Sequence, residues 1–177
     1  MDRFDKFHIT VIALISLLTI GMLANQEILK RRLGIDEAAA ADRTRYYAEQ
    51  MALNAKIYKD VITFKEQELY DEAMTKLQEV MEAYPGKAQS HVYLAQLSLK
   101  SGKLADAIHN YRLAVEKDPD YMDKKLPMFI GHEVNELVKE SLPKFGREKK
   151  LKPKDETVKN ALTDLYYLQR VLAGGCE

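Results

Sequence analysis

Residues 102–119 read GKLADAIHNYRLAVEKDP, and residues 68–85 read ELYDEAMTKLQEVMEAYP. Aligned without gaps at a constant offset of 34 residues, Ala107 falls over Ala73, Pro119 over Pro85, Tyr111 over Leu77 and Asp106 over Glu72. A fixed period of this size marks an array of small units, each unable to bury its apolar face alone and completed by its neighbours. No run of β-branched alternation competes with the helical pattern, so the unit is a helical hairpin and the expected fold class is all-α.

The window 88–121, AQSHVYLAQLSLKSGKLADAIHNYRLAVEKDPDY, carries the hairpin most clearly. Ala95 and Ala107 are small where two helices must approach. Gly102 permits a left-handed turn after the first helix, and Pro119 stops the second. Leu94, Tyr111 and Val115 fill the space between hairpins. With Leu94, Ala95, Gly102, Ala107, Tyr111, Ala114 and Pro119 at its signature positions, the window resembles the tetratricopeptide repeat.

That resemblance implies a short array. Residues 54–87 form a weaker unit that keeps Phe64, Ala73 and Pro85 but has Asp60 and Glu68 where the family has Leu and Gly. Residues 88–121 form the clear unit. Residues 122–155 form a degenerate one: Phe145, Pro153 and small Ser141 remain, Phe129 and Glu148 replace small residues, and Pro143 interrupts the expected second helix. Residues 156–177 then supply a capping helix and tail, with Val158, Leu162, Leu165, Leu168 and Leu172 on one face and Gly174 and Gly175 closing it.

Upstream, the pattern changes twice. Residues 36–67 contain no Gly or Pro and open on Asp36, a good N-cap type. One apolar stripe there runs through Tyr47, Met51, Tyr58 and Ile62, another through Leu53, Ile57, Val61 and Phe64, which predicts a helix packed on two sides; 34–53 is the connector. Residues 1–33 read as an N-terminal membrane anchor, with the span at 7–24, FHITVIALISLLTIGMLA. Eighteen helical residues reach about 27 Å, just short of a hydrocarbon core of about 30 Å, and Thr and Ser hydroxyls can bond back to their own helix. Met22-Leu23-Ala24 is a poor small-x-small cleavage site, and no polar stripe suggests a core helix, so a transmembrane helix is expected. Lys30, Arg31 and Arg32 follow the span and Arg3 and Lys6 precede it; three against two leans toward a cytoplasmic repeat domain, with the periplasmic orientation the alternative.

Composition narrows the function classes. Of 177 residues, 46% are hydrophobic and 31% charged, with 8 Gly and 5 Pro, which excludes a low-complexity chain. Lys plus Arg and Asp plus Glu each number 27, so overall charge gives no argument for nucleic acid or a small acidic substrate. A single cysteine, Cys176, excludes an intramolecular disulfide and a cysteine-based zinc site. It is neither a prenylation box nor an N-terminal lipoprotein cysteine.

In the family that the chain resembles, the first helix of each hairpin lines a concave groove. Carried onto this chain, the lining is Ala55, Tyr58, Ile62 and Lys65, then Gln89, Val92, Gln96 and Leu99, then Asp123, Leu126, Ile130 and Glu133. Tyr58, Ile62, Val92, Gln96, Leu99, Leu126 and Ile130 are the expected partner-binding residues. The lining is mostly apolar. It lacks the Lys and Asn that grip a chaperone's C-terminal carboxylate, and it fits an amphipathic helix of a protein partner or a helix of the chain itself.

Three other features compete. The string GHEVNEL sets His132 and Glu133 as the start of an HExxH-like motif, but Glu136 stands where zinc needs the second His; a metal-dependent hydrolase on His132, Glu133 and Glu136 is the enzymatic alternative. His91 and His109 lie on different helices and read as boundary histidines. The segment KFGREKKLKPK, residues 144–154, carries Lys144, Arg147, Lys149, Lys150, Lys152 and Lys154 against one acid, a patch for anionic lipid or an acidic partner. With Phe145 as its lone aromatic, it does not suggest nucleic acid. The expectation is therefore a non-enzymatic adaptor without cofactor or metal, a single-pass protein resembling N-anchored accessory repeat proteins of bacterial inner membranes, which scaffolds protein partners in a membrane complex.

Overall fold

The computed structural model describes residues 35–174 and, ahead of them, residues 12, 15–23, 25 and 28. Among the described residues there are helices and no strands. Much of the expected span 7–24, and Cys176 and Gly175, lie outside the described residues. Within that segment, residues 15–23 are helical. There the Ser16 hydroxyl donates to the Ile12 carbonyl at 2.9 Å and the Thr19 hydroxyl to the Ser16 carbonyl at 2.9 Å, which satisfies both side chains inside an apolar helix. Among the described residues no helix is long and apolar enough to cross a membrane.

The chain divides into two units, Met1–Tyr46 and Tyr47–Glu177. α1 (Ile35–Ile57) begins in the first and ends in the second, and Asp36, expected as its N-cap, lies inside it. Expected packing on two sides does not occur along α1. Met51 and Leu53 are exposed, and burial becomes complete only at Tyr58. Backbone bonds from Tyr58 N–H to Asn54 (2.8 Å) and from Ile62 N–H to Tyr58 (2.9 Å) carry the helix through a single turn residue into α2 (Lys59–Glu66).

Next come α3 (Tyr70–Ala83), α4 (Ala88–Lys100) and α5 (Leu104–Lys117), a 3₁₀ turn at Pro119–Met122, α6 (Gly131–Leu151) and α7 (Glu156–Leu172). They pack as three antiparallel pairs, α2 with α3, α4 with α5 and α6 with α7; α3 also lies against α4, and α5 against α7.

The 34-residue period is written into the backbone of the first two pairs. Gln67 (φ −83°, ψ 3°) matches Ser101 (φ −85°, ψ 5°), and Leu69 (φ −84°, ψ 70°) matches Lys103 (φ −86°, ψ 70°). Between them Glu68 and Gly102 are both left-handed, at φ 61° and 72°. The hydrogen bonds repeat as well. Leu69 N–H donates to Phe64 at 2.9 Å and Lys103 N–H to Ser98 at 2.8 Å, while Glu68 N–H reaches Lys65 at 3.2 Å and Gly102 N–H reaches Leu99 at 3.1 Å. Each turn is thus a Schellman closure, in which a left-handed residue lets two N–H groups fold back on the last helical carbonyls.

Glycine adopts that conformation without steric cost, whereas Glu68 pays for its Cβ, roughly 1 kcal/mol or more. Glu68→Gly is therefore expected to stabilise the protein by up to about 1 kcal/mol, the relief of strain exceeding the entropy that glycine adds to the unfolded chain. Urea melts of the two proteins measure it; a loss of stability would mean that the Glu68 side chain makes compensating contacts in the turn.

The third pair departs from the period. The residues expected to start a hairpin at 122 instead form an irregular segment, in which Ile130 N–H closes on the Tyr121 carbonyl at 2.9 Å. Pro127 and the restriction it places on Leu126 disfavour helix there. Helix starts at Gly131, packed so tightly on Phe129 that a Cβ would overlap the ring. Nor does Pro143 interrupt: α6 runs through it for 21 residues. Pro143 is exposed while Val138, Ser141 and Phe145 on the opposite face are buried, so packing on both sides of the proline holds the helix together. The helix expected as a cap, α7, is the partner of α6. Its Asp155 side chain accepts from Thr157 N–H (3.0 Å) and Val158 N–H (3.3 Å), a complete N-cap, and Gly174 at φ 85° closes its other end.

Two apolar clusters result. Tyr58, Val61, Ala73, Leu77 and Leu97 fill the first pair and its contact with α4. The larger joins Val92, Ala95 and Tyr111 of the second pair to Val134, Leu137 and Phe145 of α6 and to Val158, Leu162, Leu165 and Leu168 of α7.

Candidate docking cleft

An open cleft of about 600 Å³ is lined by the first helices of the pairs, α2, α4 and α6, together with Tyr70 of α3 and Leu104 and Tyr111 of α5. Its floor is apolar, from Tyr70, Leu99, Leu104, Tyr111 and Leu137; its rim carries Glu66, Glu68, Glu133, Glu136 and Glu140 against Lys65 and Lys100.

A polar relay crosses this floor from helix to helix. Lys65 Nζ donates to Gln96 Oε1 at 2.7 Å, Gln96 Nε2 donates to Glu133 Oε2 at 3.0 Å, and the Tyr111 hydroxyl donates to the same oxygen at 2.7 Å. The Lys65 ammonium also stands 5.0 Å above the Tyr93 ring. Burial holds its pKa below the ordinary lysine value, opposed by the charge of Glu133. Burial, with the Glu133 carboxylate beside it, drives the Tyr111 hydroxyl far above the ordinary phenol value. Glu133 is thus held by two neutral donors, and Glu136 by an exposed ion pair to Lys139 at 3.1 Å.

Of the residues expected to line a groove, Lys65, Gln96, Leu99 and Glu133 meet in this cleft. Five of the seven expected partner-binding residues do not. Tyr58, Val92, Leu126 and Ile130 are 0%, 2%, 6% and 8% exposed, and Ile62 is half-buried in the first cluster. Tyr58 is turned inward to share a 2.6 Å hydrogen bond with Ser90, so it serves the α2–α4 contact and offers no surface to a partner. The acidic rim was not anticipated. Glu66 and Glu68 sit at the hairpin turn and Glu136 and Glu140 on the displaced α6, all outside the positions that the family pattern uses.

His132 is exposed, its ring edge-on to Phe129 at 5.1 Å. Among the described residues no three His, Cys, Asp or Glu side chains gather in a way that could hold a metal ion. The six cations of the basic segment are all exposed, on the second half of α6 and the loop after it. Leu151 among them is 81% exposed.

A second hollow of about 770 Å³ lies between α5 and α7. Asp164, 6% exposed, receives His109 Nδ1 at 2.8 Å and Arg112 Nε at 3.6 Å, tying the two helices together. Arg112 and Arg170 both approach the Tyr167 ring, at 5.5 and 5.8 Å. Sequence reading gave His109 no partner, because Asp164 lies far along the chain and interrupts the stripe of Leu162 and Leu165 like any surface residue. One of its oxygens meets the His109 ring and the other the Arg112 guanidinium, which makes it a strut between helices. No family model matches the chain, and no curated protein matches it.

Proposed function

We propose that this chain is a membrane-anchored helical-repeat adaptor of the tetratricopeptide type, which scaffolds protein partners and performs no chemistry itself. The observation that carries the reading is the residue-for-residue repetition of the hairpin backbone at 34 residues, with a cleft opening on the side of the first helices. Such arrays present shape, and an apolar floor with a charged rim suits a segment of protein. An apolar segment at residues 7–24 would hold the array beside a bilayer, among the subunits of a membrane complex.

Photo-crosslinking in intact membranes tests this. A crosslinking residue at Leu99, on the cleft floor, is expected to yield one or two discrete protein adducts, and the same residue at exposed Gln78 on α3 to yield none of them. Identical adduct patterns from both positions would remove the docking role of the cleft. Protease protection of the repeat domain fixes which side of the membrane it occupies.

A further inference from the structure

We propose that the cleft receives the Lys149–Lys154 segment of a second copy of this chain. The inference rests on the reading of the cleft as a docking groove and names its occupant. The segment reads KKLKPK. Its Leu151 is the most exposed large hydrophobic side chain among the described residues, at 81%, and it stands among exposed lysines. The cleft is the complement: an apolar floor that includes exposed Leu99 and half-buried Leu104, inside a rim of five glutamates and two lysines. One of those lysines, Lys65, is committed to Gln96 and the Tyr93 ring. A leucine carried by cations matches the floor and the rim together.

The pairing must be between copies. Glu136 and Lys150 lie on the same unbroken helix α6, so about 21 Å of rigid rod separates the acidic wall from its own basic end. Helix-dipole preferences, which act within the first and last turn, cover Lys149 and Lys150 but not Glu140, Lys144 and Arg147 in the middle turns. Nor do they account for Leu151. Cleft and segment are different surfaces, so the contact is head-to-tail and can propagate from copy to copy, which suits a scaffold confined to a membrane.

Sedimentation of the full chain in detergent micelles tests the proposal by charge exchange. One variant, K149E/K150E/K152E, carries an acidic segment and an acidic cleft; the other, E66K/E136K/E140K, carries a basic segment and a basic cleft. All six positions are exposed, and circular dichroism confirms that both variants fold. The wild-type chain is expected to self-associate and to weaken with salt, each variant alone to lose about tenfold or more in association, and the mixture of the two to regain it. Leu151→Ser is expected to weaken association without changing its salt dependence. A monomeric wild type, variants that associate as the wild type does, or a mixture that fails to recover would each overturn the proposal. A monomeric chain whose Leu99 adducts contain another protein overturns self-pairing alone, whereas a monomer without cleft-specific adducts overturns the docking reading as well.

Discussion

Tyr111→Ala is expected to lower the free energy of unfolding by about 3–5 kcal/mol, the range for truncating a large buried aromatic side chain. Tyr111 is 1% exposed and belongs to the cluster that joins the second hairpin to α6 and α7. Because it stands at the offset position of Leu77 in the first hairpin, it fills the same inter-helix space with a larger side chain. Its hydroxyl then reaches past that space to Glu133 at 2.7 Å. Removing the ring opens a cavity where three helices meet and also strips a donor from the carboxylate.

Tyr111→Phe separates the two effects. The ring stays and only the hydrogen bond goes; Glu133 is exposed enough for water to replace the donor, so the cost is about 0.5–1.5 kcal/mol. Denaturant melts of both variants measure the difference. Equal losses would show that the hydroxyl, and not the packing, carries the contribution.

How much of this was legible beforehand depends on whether a position acts locally. Gly102 and Pro119 dictate their own backbone, and Ala95 and Ala107 set the approach of neighbouring helices, so the second hairpin could be read from residue types alone. Glu68 shows the limit of that method. Its side chain argues against a left-handed turn, yet φ is 61°, because the helices on either side are positioned by Val61, Ala73 and Leu77 and leave the chain no other way round.

Pro143 failed in the opposite direction. A proline in a helix loses one hydrogen bond, but the burial of Val138, Ser141 and Phe145 outweighs that loss, and no local rule contains such distant packing. The cleft was legible only in part for the same reason. Lys65, Gln96 and Leu99 follow from hairpin geometry, whereas the acidic wall of Glu136 and Glu140 depends on where α6 begins, and that is decided by Pro127 and the tight packing of Phe129 on Gly131.

Alkali should expose the same core. Burial raises the pKa of Tyr58, Tyr93, Tyr111 and Tyr121 above the ordinary phenol value near 10, aided at Tyr111 by Glu133 and at Tyr121 by Asp118. Below pH 10 these phenols are neutral in both folded and unfolded chains, so their contribution to stability is constant. Above it the unfolded chain releases protons that the folded chain retains, and stability falls with rising pH. Lys65 opposes this, since its folded pKa lies below 10.5 and the unfolded chain binds the extra proton in that window. Four tyrosines at about 1.4 kcal/mol per pH unit each bound the slope at roughly 5 kcal/mol per pH unit, and it is shallower where Lys65 still opposes. Denaturant melts between pH 8 and 11.5 are expected to be flat and then to fall steeply, with part of the tyrosinate absorbance appearing only as the helices melt. Replacing Tyr111 and Tyr121 with Phe removes two of the four groups and should make the alkaline limb shallower, even though the double variant is less stable at pH 8. An unchanged slope in that variant would mean that the alkaline transition does not come from ionisation of these buried phenols.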